Sequence, residues 1–271
     1  MYNSFFDPLP RVVAHRGDSA NFPENTLEAF LSAYKMGVDV IETDVHLSRD
    51  GVLVIWHDPT LDRNTNGTGR IEDHTLEELK SYDAGYSFSA DGGATYPFRG
   101  KGVELCTLDE ALKACPAQRF NVDLKTKGEP IVDAFISVVE KNQAKKRVLG
   151  ASFHFSNLKL LRRKEPRITT SITTSEVLRF LILHKTKALP RRLHKTRQII
   201  FQVPPRQGRI EVITPSFIKA MHDRGAIIQV WTINDKKEMV RLFKMGVDSI
   251  MTDRPAVAME VVQELGLSAE A

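Results

Sequence analysis

Eight short β-rich runs alternate with helical patterns along this chain, and that alternation restricts the fold more than any other feature. The runs are "VVAHRG" (12–17), "VIETD" (40–44), "FNVDLK" (120–125), "VLGASF" (148–153), "ITTSIT" (168–173), "IIFQVP" (199–204), "IIQVWT" (227–232) and "SIMTD" (249–253). Alternating strands and helices imply a parallel sheet, because each strand must return over a helix before the next can pair in the same direction. Eight such units in about 250 residues fit a closed (β/α)8 TIM barrel. A doubly wound open sheet is the second architecture. With 271 residues, 42% of them hydrophobic, the chain can fill the core of a single barrel domain over 1–271.

Helix starts are written locally. Asn25-Thr26-Leu27-Glu28 reads as a capping box, with Leu27, Phe30, Leu31 and Tyr34 on one face and Gly37 as the stop. The box recurs at Thr75…Glu78, Thr107…Glu110 and Asp235…Glu238, and Thr214-Pro215 opens a further helix. The stretch 58–118 is too long for a βα connection. It reads as an insertion after the second barrel strand, with short helices at "TLEELKSY" and "TLDEALKA". The Gly-rich loop "SADGGATYPFRGKG" between them is expected to cover the barrel mouth.

Several classes are set aside by composition. No stretch reaches the roughly 18 apolar residues of a membrane span. The start "MYNSFFDPLPRVV" lacks a secretory pattern, and Cys106 and Cys115 offer neither a zinc site nor a disulfide framework, so a cytoplasmic protein is expected. The net charge is +4, but residues 159–197 hold twelve Lys/Arg against two Asp/Glu, leaving 26 against 32 elsewhere. This block surrounds "VLRFLILH" (177–184). One reading is a peripheral membrane contact through 159–197; the other is an outer helix with a solvated basic face. No basic–aromatic interleaving or reader motif points to nucleic acid.

Chemistry concentrates in "ETDVHLSRDGVLVIWHD" (42–58), which reads as two strands about an Asp-Gly turn. Strand parity puts Val40, Glu42, Asp44 and His46 on one face and Ile41, Thr43 and Val45 on the other. The apolar set suits packing against helices, so Glu42 and Asp44 point into the barrel near its C-terminal mouth. His46, further along, is read as structural. A two-residue Asp50-Gly51 turn would set Asp44 opposite His57 and gather the polar groups; this register is expected. A three-residue Arg49-Asp50-Gly51 turn is the alternative and shifts the pairing by one. An echo supports a special role for Glu42. "KMGVDVIETD" (35–44) recurs as "KMGVDSIMTD" (244–253), with Met251 in its place.

Other strand ends add His15 and Arg16, then Asp123 and Lys125. Carboxylates 42, 44 and 123 converging in one mouth would repel one another, and a divalent cation relieves this; all-oxygen donors favour Mg²⁺ or Ca²⁺. The competing arrangement is salt-bridging to Arg16 and Lys125 with no metal. Those two cations together favour an anionic substrate, and phosphate suits the arginine fork. His15 and His57 suit general acid–base work. Trp231 either packs in the core or walls a substrate.

The ordered motifs "AHRG…PENT", "ETDVHLSRDG", "WHD…LDRNTNGTG", "DLK", "VWTIN" and "GVDSIMTDRP" resemble the glycerophosphodiester phosphodiesterase family from Val12 to about Pro255. The resemblance implies a β/α barrel with an insertion after its second strand, a divalent metal, and hydrolysis of small glycerophosphodiesters to glycerol 3-phosphate and an alcohol. His15 and His57 then look like the acid–base pair, and Glu42, Asp44 and Asp123 like metal ligands. At 123 many members have Glu, and at Gln229 the family often has His. Arg16 and Lys125 look like the phosphate contacts and Trp231 like the head-group wall. The nucleophile is water or the neighbouring glycerol hydroxyl. Lysophospholipase D activity on membrane-derived lysolipids and a non-catalytic phosphate-binding barrel are the competing functions.

Overall fold

A computed structural model describes residues 4–194 and 198–267. Eleven strands follow in chain order: β1 (Val12–His15), β2 (Val40–Leu47), β3 (Leu53–Ile55), β4 (Arg119–Leu124), β5 (Val148–Ala151), β6 (Thr169–Thr170), β7 (Ile200–Val203), β8 (Arg206–Gln207), β9 (Ile210–Glu211), β10 (Ile227–Val230) and β11 (Ser249–Thr252). The helices are α1 (Leu27–Met36), α2 (Leu76–Lys80), α3 (Leu108–Ala114), α4 (Glu129–Lys141), α5 (Phe155–Lys164), α6 (Thr174–Lys185), α7 (Pro215–His222), α8 (Lys236–Met245) and α9 (Pro255–Glu264).

Eight strands pair in parallel in the order β6-β5-β4-β2-β1-β11-β10-β7. The barrel closes where the Ile172 amide, just past β6, donates to the Ile200 carbonyl of β7 at 3.1 Å. All eight β-rich runs of the sequence are barrel strands. Alternate residues on each strand sort into two cores. Ile41, Val45, Phe120, Val122, Phe201 and Ile228 pack outward under the helices. Val13, Val40, Leu149, Ile200, Ile227 and Met251 point inward, and Phe5 and Phe6 cap that inner cluster at the strands' N-terminal end. The apolar plug occupies the bottom of the barrel, so the polar residues two and four positions further along gather at the top.

The helix caps follow from local chemistry with one change of residue. Thr75, Thr107 and Thr173 each form a reciprocal box with the Glu three positions on. For α1 the cap is Thr26, accepting from the Ala29 amide, rather than Asn25. Asn25 is drawn away by tertiary partners: its amide donates to Asp44 Oδ2 at 2.9 Å and its oxygen accepts from Thr43 Oγ1 at 2.8 Å. Asp235 caps α8, but Glu238 turns to Arg241 instead of completing a box.

The segment between β2 and β4 splits in two. Val54, Trp56, Leu61, Ile71, Leu79, Val103 and Leu105 form a small separate core. The helix of "TLDEALKA" is not part of it: Leu108, Ala111 and Leu112 belong to the main barrel core, so α3 fills the place of a barrel helix.

The hairpin register differs from the one expected. Val45 pairs with Ile55, His46 with Val54 and Leu47 with Leu53, which sets Asp44 level with Trp56 rather than His57. The loop is the three-residue Arg49-Asp50-Gly51. A two-residue type I′ turn needs positive φ at both central residues, and here only Gly51 (φ +81°) is left-handed. Ser48 stabilises the longer loop, donating to Asp50 Oδ1 at 2.6 Å and accepting from the Val52 amide at 2.9 Å.

Candidate active site

The mouth is built from the ends of β1, β2 and β4 and from the segments that follow β3 and β11. On β1, His15 is followed by a tight turn in which both Arg16 (φ +57°) and Gly17 (φ +84°) are left-handed. The turn aims the Arg16 amide at Glu42, donating to its carbonyl at 3.0 Å and its Oε2 at 3.2 Å. A side chain at 17 would meet the backbone of Ala29 at 2.7 Å. Gly17→Ala is therefore expected to destabilise the fold by about 1–2 kcal/mol for the left-handed backbone and ~1–3 kcal/mol more for the clash. Urea unfolding checks this, and an unchanged midpoint would exclude the turn as described.

Glu42 and Asp44 are buried, two residues apart on the inward face of β2, and register sets Asp123 of β4 beside Asp44. Lys125 Nζ lies between them, 2.8 Å from Asp44 Oδ1 and 2.7 Å from Asp123 Oδ2. Arg16 Nε stands 3.3 Å from Asp44 Oδ2, close enough for an ion pair though too poorly aligned for a hydrogen bond. These charges divide the three carboxylates. Burial pushes Asp44 up, but Lys125, Arg16 and His57 outweigh it and hold the group below the usual range. Burial, reinforced by the charge of Asp44, drives Glu42 up to about 7. Asp123 is also raised, by burial first, against the pull of Lys125.

Each histidine has its own carboxylate. His15 Nδ1 lies 2.6 Å from Asp253 Oδ1, and His57 Nδ1 lies 2.6 Å from Asp58 Oδ1. Both carboxylates are held below their ordinary range despite partial burial, Asp253 by His15 and Asn234, Asp58 by Arg63 and His57. An ionised carboxylate only accepts, so each Nδ1 carries the proton and each Nε2 is left for a reacting group. His15 Nε2 stands 4.0 Å from Glu42 Oε2. Burial lowers the His15 pKa, but Asp253 and Glu42 outweigh it and the net shift is upward. His57 reaches this end of the barrel by leaving the strand. β3 stops at Ile55, and the chain bends after the Trp56 amide bonds the Asp44 carbonyl at 3.0 Å.

A chain of alternating charge joins His57 to the arginine. Asp58 Oδ2 accepts from Arg63 Nε at 2.5 Å, Arg63 Nη2 donates to Glu24 Oε1 at 2.6 Å, and Glu24 Oε1 also accepts from Arg16 Nη1 at 3.0 Å. A cavity of about 380 Å³ opens beside His15 and Arg16, walled by Ser89 of the insertion loop, Asn234 and Arg254. Trp231, at the end of β10, is half-buried against the inner core. Gln229 below it is buried and bonded to Gln202 and Ser249. His46 is buried beside the site, its Nε2 3.2 Å from the His57 carbonyl and its Nδ1 3.5 Å from Thr126 Oγ1.

The sequence assigns no role to Asp58, Asp253, Glu24 and Arg63, and to Asn25 only that of a helix cap, although all five lie in the ordered motifs. The internal echo carried one signal for them: Asp253 is the counterpart of Asp44, so the second copy also delivers a carboxylate to the mouth.

As they lie, no three Asp, Glu, His or Cys side chains among the described residues are arranged to hold a metal ion, and at the mouth Lys125 stands between Asp44 and Asp123. The donor chemistry nonetheless fits a hard dication. Asp123 Oδ1 and Asn121 Oδ1 are buried without a partner, and Glu42 is buried beside a second carboxylate.

Comparison with known proteins agrees with the fold and identifies the family. Residues 15–257 match the model of the glycerophosphoryl diester phosphodiesterase family. A glycerophosphodiester phosphodiesterase from Bacillus altitudinis is 31% identical over 95% of this chain and all of its own length. One from Caldanaerobacter subterraneus is also 31% identical, over 94% of this chain and 98% of that one. Among solved structures, an Oleispira antarctica phosphodiesterase in complex with the product sn-glycerol-3-phosphate superposes with a TM-score of 0.76 at 26% identity, covering 95% of this chain and 98% of that one. With eight parallel strands, two carboxylate-backed imidazoles and a family match over nearly its whole length, this chain belongs to the glycerophosphoryl diester phosphodiesterase family of phosphoric diester hydrolases.

Proposed function

We propose that the chain hydrolyses glycerophosphodiesters to glycerol 3-phosphate and an alcohol, with His15 and His57 as the acid–base pair. The observation that carries this reading is the pair of imidazoles at one mouth, each bonded through Nδ1 to its own carboxylate. A purely binding site needs no such pair. One Nε2 takes the proton of the attacking water, or of the neighbouring glycerol hydroxyl in a route whose cyclic phosphate is then opened by water, as the new P–O bond forms. The other imidazole, protonated at Nε2, gives that proton to the alkoxide as the old P–O bond breaks, so the leaving group departs as the neutral alcohol. Arg16, braced by Glu24, and Lys125 supply positive charge toward the phosphate oxygens. The half-buried Trp231 provides an apolar wall for the organic part of the substrate.

Glu42, Asp44 and Asp123 would hold a divalent cation, Mg²⁺ or Ca²⁺, whose chemistry when bound is to polarise a phosphate oxygen and neutralise its charge. Three carboxyl groups gathered in one buried mouth support that assignment. Release of glycerol 3-phosphate from glycerophosphocholine tests both parts. Turnover is expected with Mg²⁺ or Ca²⁺, with a loss of about 100-fold or more in excess chelator, restored by adding the cation back. No glycerol 3-phosphate under any condition would reject the activity; a full rate in chelator would reject the cation.

A further inference from the structure

Five of the seven exposed large hydrophobic side chains among the described residues lie in one sector of the barrel; the other two, Tyr86 and Tyr96 of the insertion loop, are less exposed and stack with Arg99. Phe153 is 64% exposed, and Phe155, Leu178, Ile182 and Ile210 are 47–55% exposed. Phe153 follows β5 and Phe155 opens α5; Ile210 lies in the β8–β9 hairpin that follows β7. In a barrel of this type every segment that follows a strand opens at the mouth. Leu178 and Ile182 lie four residues apart on the outer face of α6, which follows β6. The three staves β5, β6 and β7 are consecutive around the barrel, so the five residues share one flank that starts at the mouth rim.

The same flank is basic. On α5, Lys159 and Arg163 continue the exposed face begun by Phe155 at four-residue spacing. On α6 and beyond it, Arg179, Lys185, Arg191 and Arg192 are exposed. Among the described residues none of these six cations forms an ion pair, whereas the neighbouring Arg162, Lys164 and Arg167 are all paired with carboxylates. Residues 195–197, which end the basic block, lie outside the described residues. No helix among the described residues is long and apolar enough to cross a membrane.

We propose that the flank formed by Phe153, Phe155, Leu178, Ile182 and Ile210 docks this protein on an anionic lipid surface. Apolar side chains projecting from a rigid face with uncompensated cations around them fit the boundary between headgroups and acyl chains, and the cations complement an anionic leaflet. A neutral protein partner would leave six charges unanswered. The geometry also faces the site toward the lipid. Phe153 stands with its ring centroid 5.7 Å from Lys125 Nζ, so the apolar rim reaches the bridging lysine of the mouth.

The full-length chain is to be sedimented with vesicles of phosphatidylglycerol and, separately, of phosphatidylcholine, without substrate, so that the result is independent of the proposed reaction. Binding to the anionic vesicles is expected to exceed binding to the neutral ones by about tenfold or more and to weaken with salt. The double variant Leu178→Glu/Ile182→Glu is expected to lose about tenfold or more in vesicle affinity. Its hydrolysis of water-soluble glycerophosphocholine is expected to be unchanged, which shows that it is folded. A chain that stays in the supernatant with anionic vesicles, equal binding to both vesicle types, or full binding by the double variant each overturns the proposal. So does a solution dimer abolished by the same double substitution, which would make the flank a contact between copies of the chain.

Discussion

A His57→Ala chain is expected to fold normally and to lose turnover by about 10²- to 10⁴-fold, the range spanned by removal of a positioned general acid or base. The fold should survive because the ring is half-exposed and its Nδ1 bonds only the adjacent Asp58, which keeps Arg63 as a partner. The loss is chemical: the alanine has no Nε2, and either the attacking hydroxyl or the departing alkoxide goes without its proton relay. His15→Ala should show a loss of the same order, since His15 is backed by Asp253 as His57 is by Asp58. The measurement is kcat on glycerophosphocholine, with the unfolding midpoint as a control. Turnover within threefold of the parent, in a chain of unchanged midpoint, would remove the histidine from the mechanism.

Lys125→Met should be the most damaging change to stability. The ammonium lies within 2.8 Å of carboxylates on both β2 and β4, and its removal leaves Asp44, Asp123 and Glu42 together in a buried mouth. Breaking a buried pair on one side costs about 3–5 kcal/mol, because the abandoned charge has neither water nor partner. For a domain of this size that lowers the melting temperature by roughly 10 °C. The loss should be visible in chelator and should shrink when Mg²⁺ or Ca²⁺ is added, since a cation bound only by the folded state stabilises it by mass action. A variant as stable as the parent in chelator would mean that the carboxylates take up protons at little cost. A deficit that no cation reduces would speak against Glu42, Asp44 and Asp123 as its ligands.

The two expectations draw on different kinds of information. Strand parity places Glu42, Asp44, Asp123 and Lys125 on inward faces, because a period of two residues is a property of any strand. The stops and caps are equally local, as Gly37, Thr75 and Thr107 show. Where a tertiary partner competes, local reading fails: Asn25 leaves the helix start for Asp44 and Thr43, and Glu238 leaves the box for Arg241. The hairpin register fails for a related reason. One residue of loop length reverses the face of the returning arm, and Ser48, with the Leu76 amide on Asp50 at 3.0 Å, tips the balance toward the longer loop.

The chain's own order of residues therefore determined the eight strand–helix units, most of the helix starts and stops, and the inward faces of Glu42, Asp44, Asp123 and Lys125, because each of these follows from periodicity or from contacts within a few positions. Only the folded arrangement decided that Asp253 stands behind His15 across 238 residues, and that Lys125 bridges two carboxylates. It also decided that Glu24 and Arg63 tie the arginine to Asp58. Those pairings join strand ends brought together by closure of the sheet, and no local pattern encodes which ends will meet.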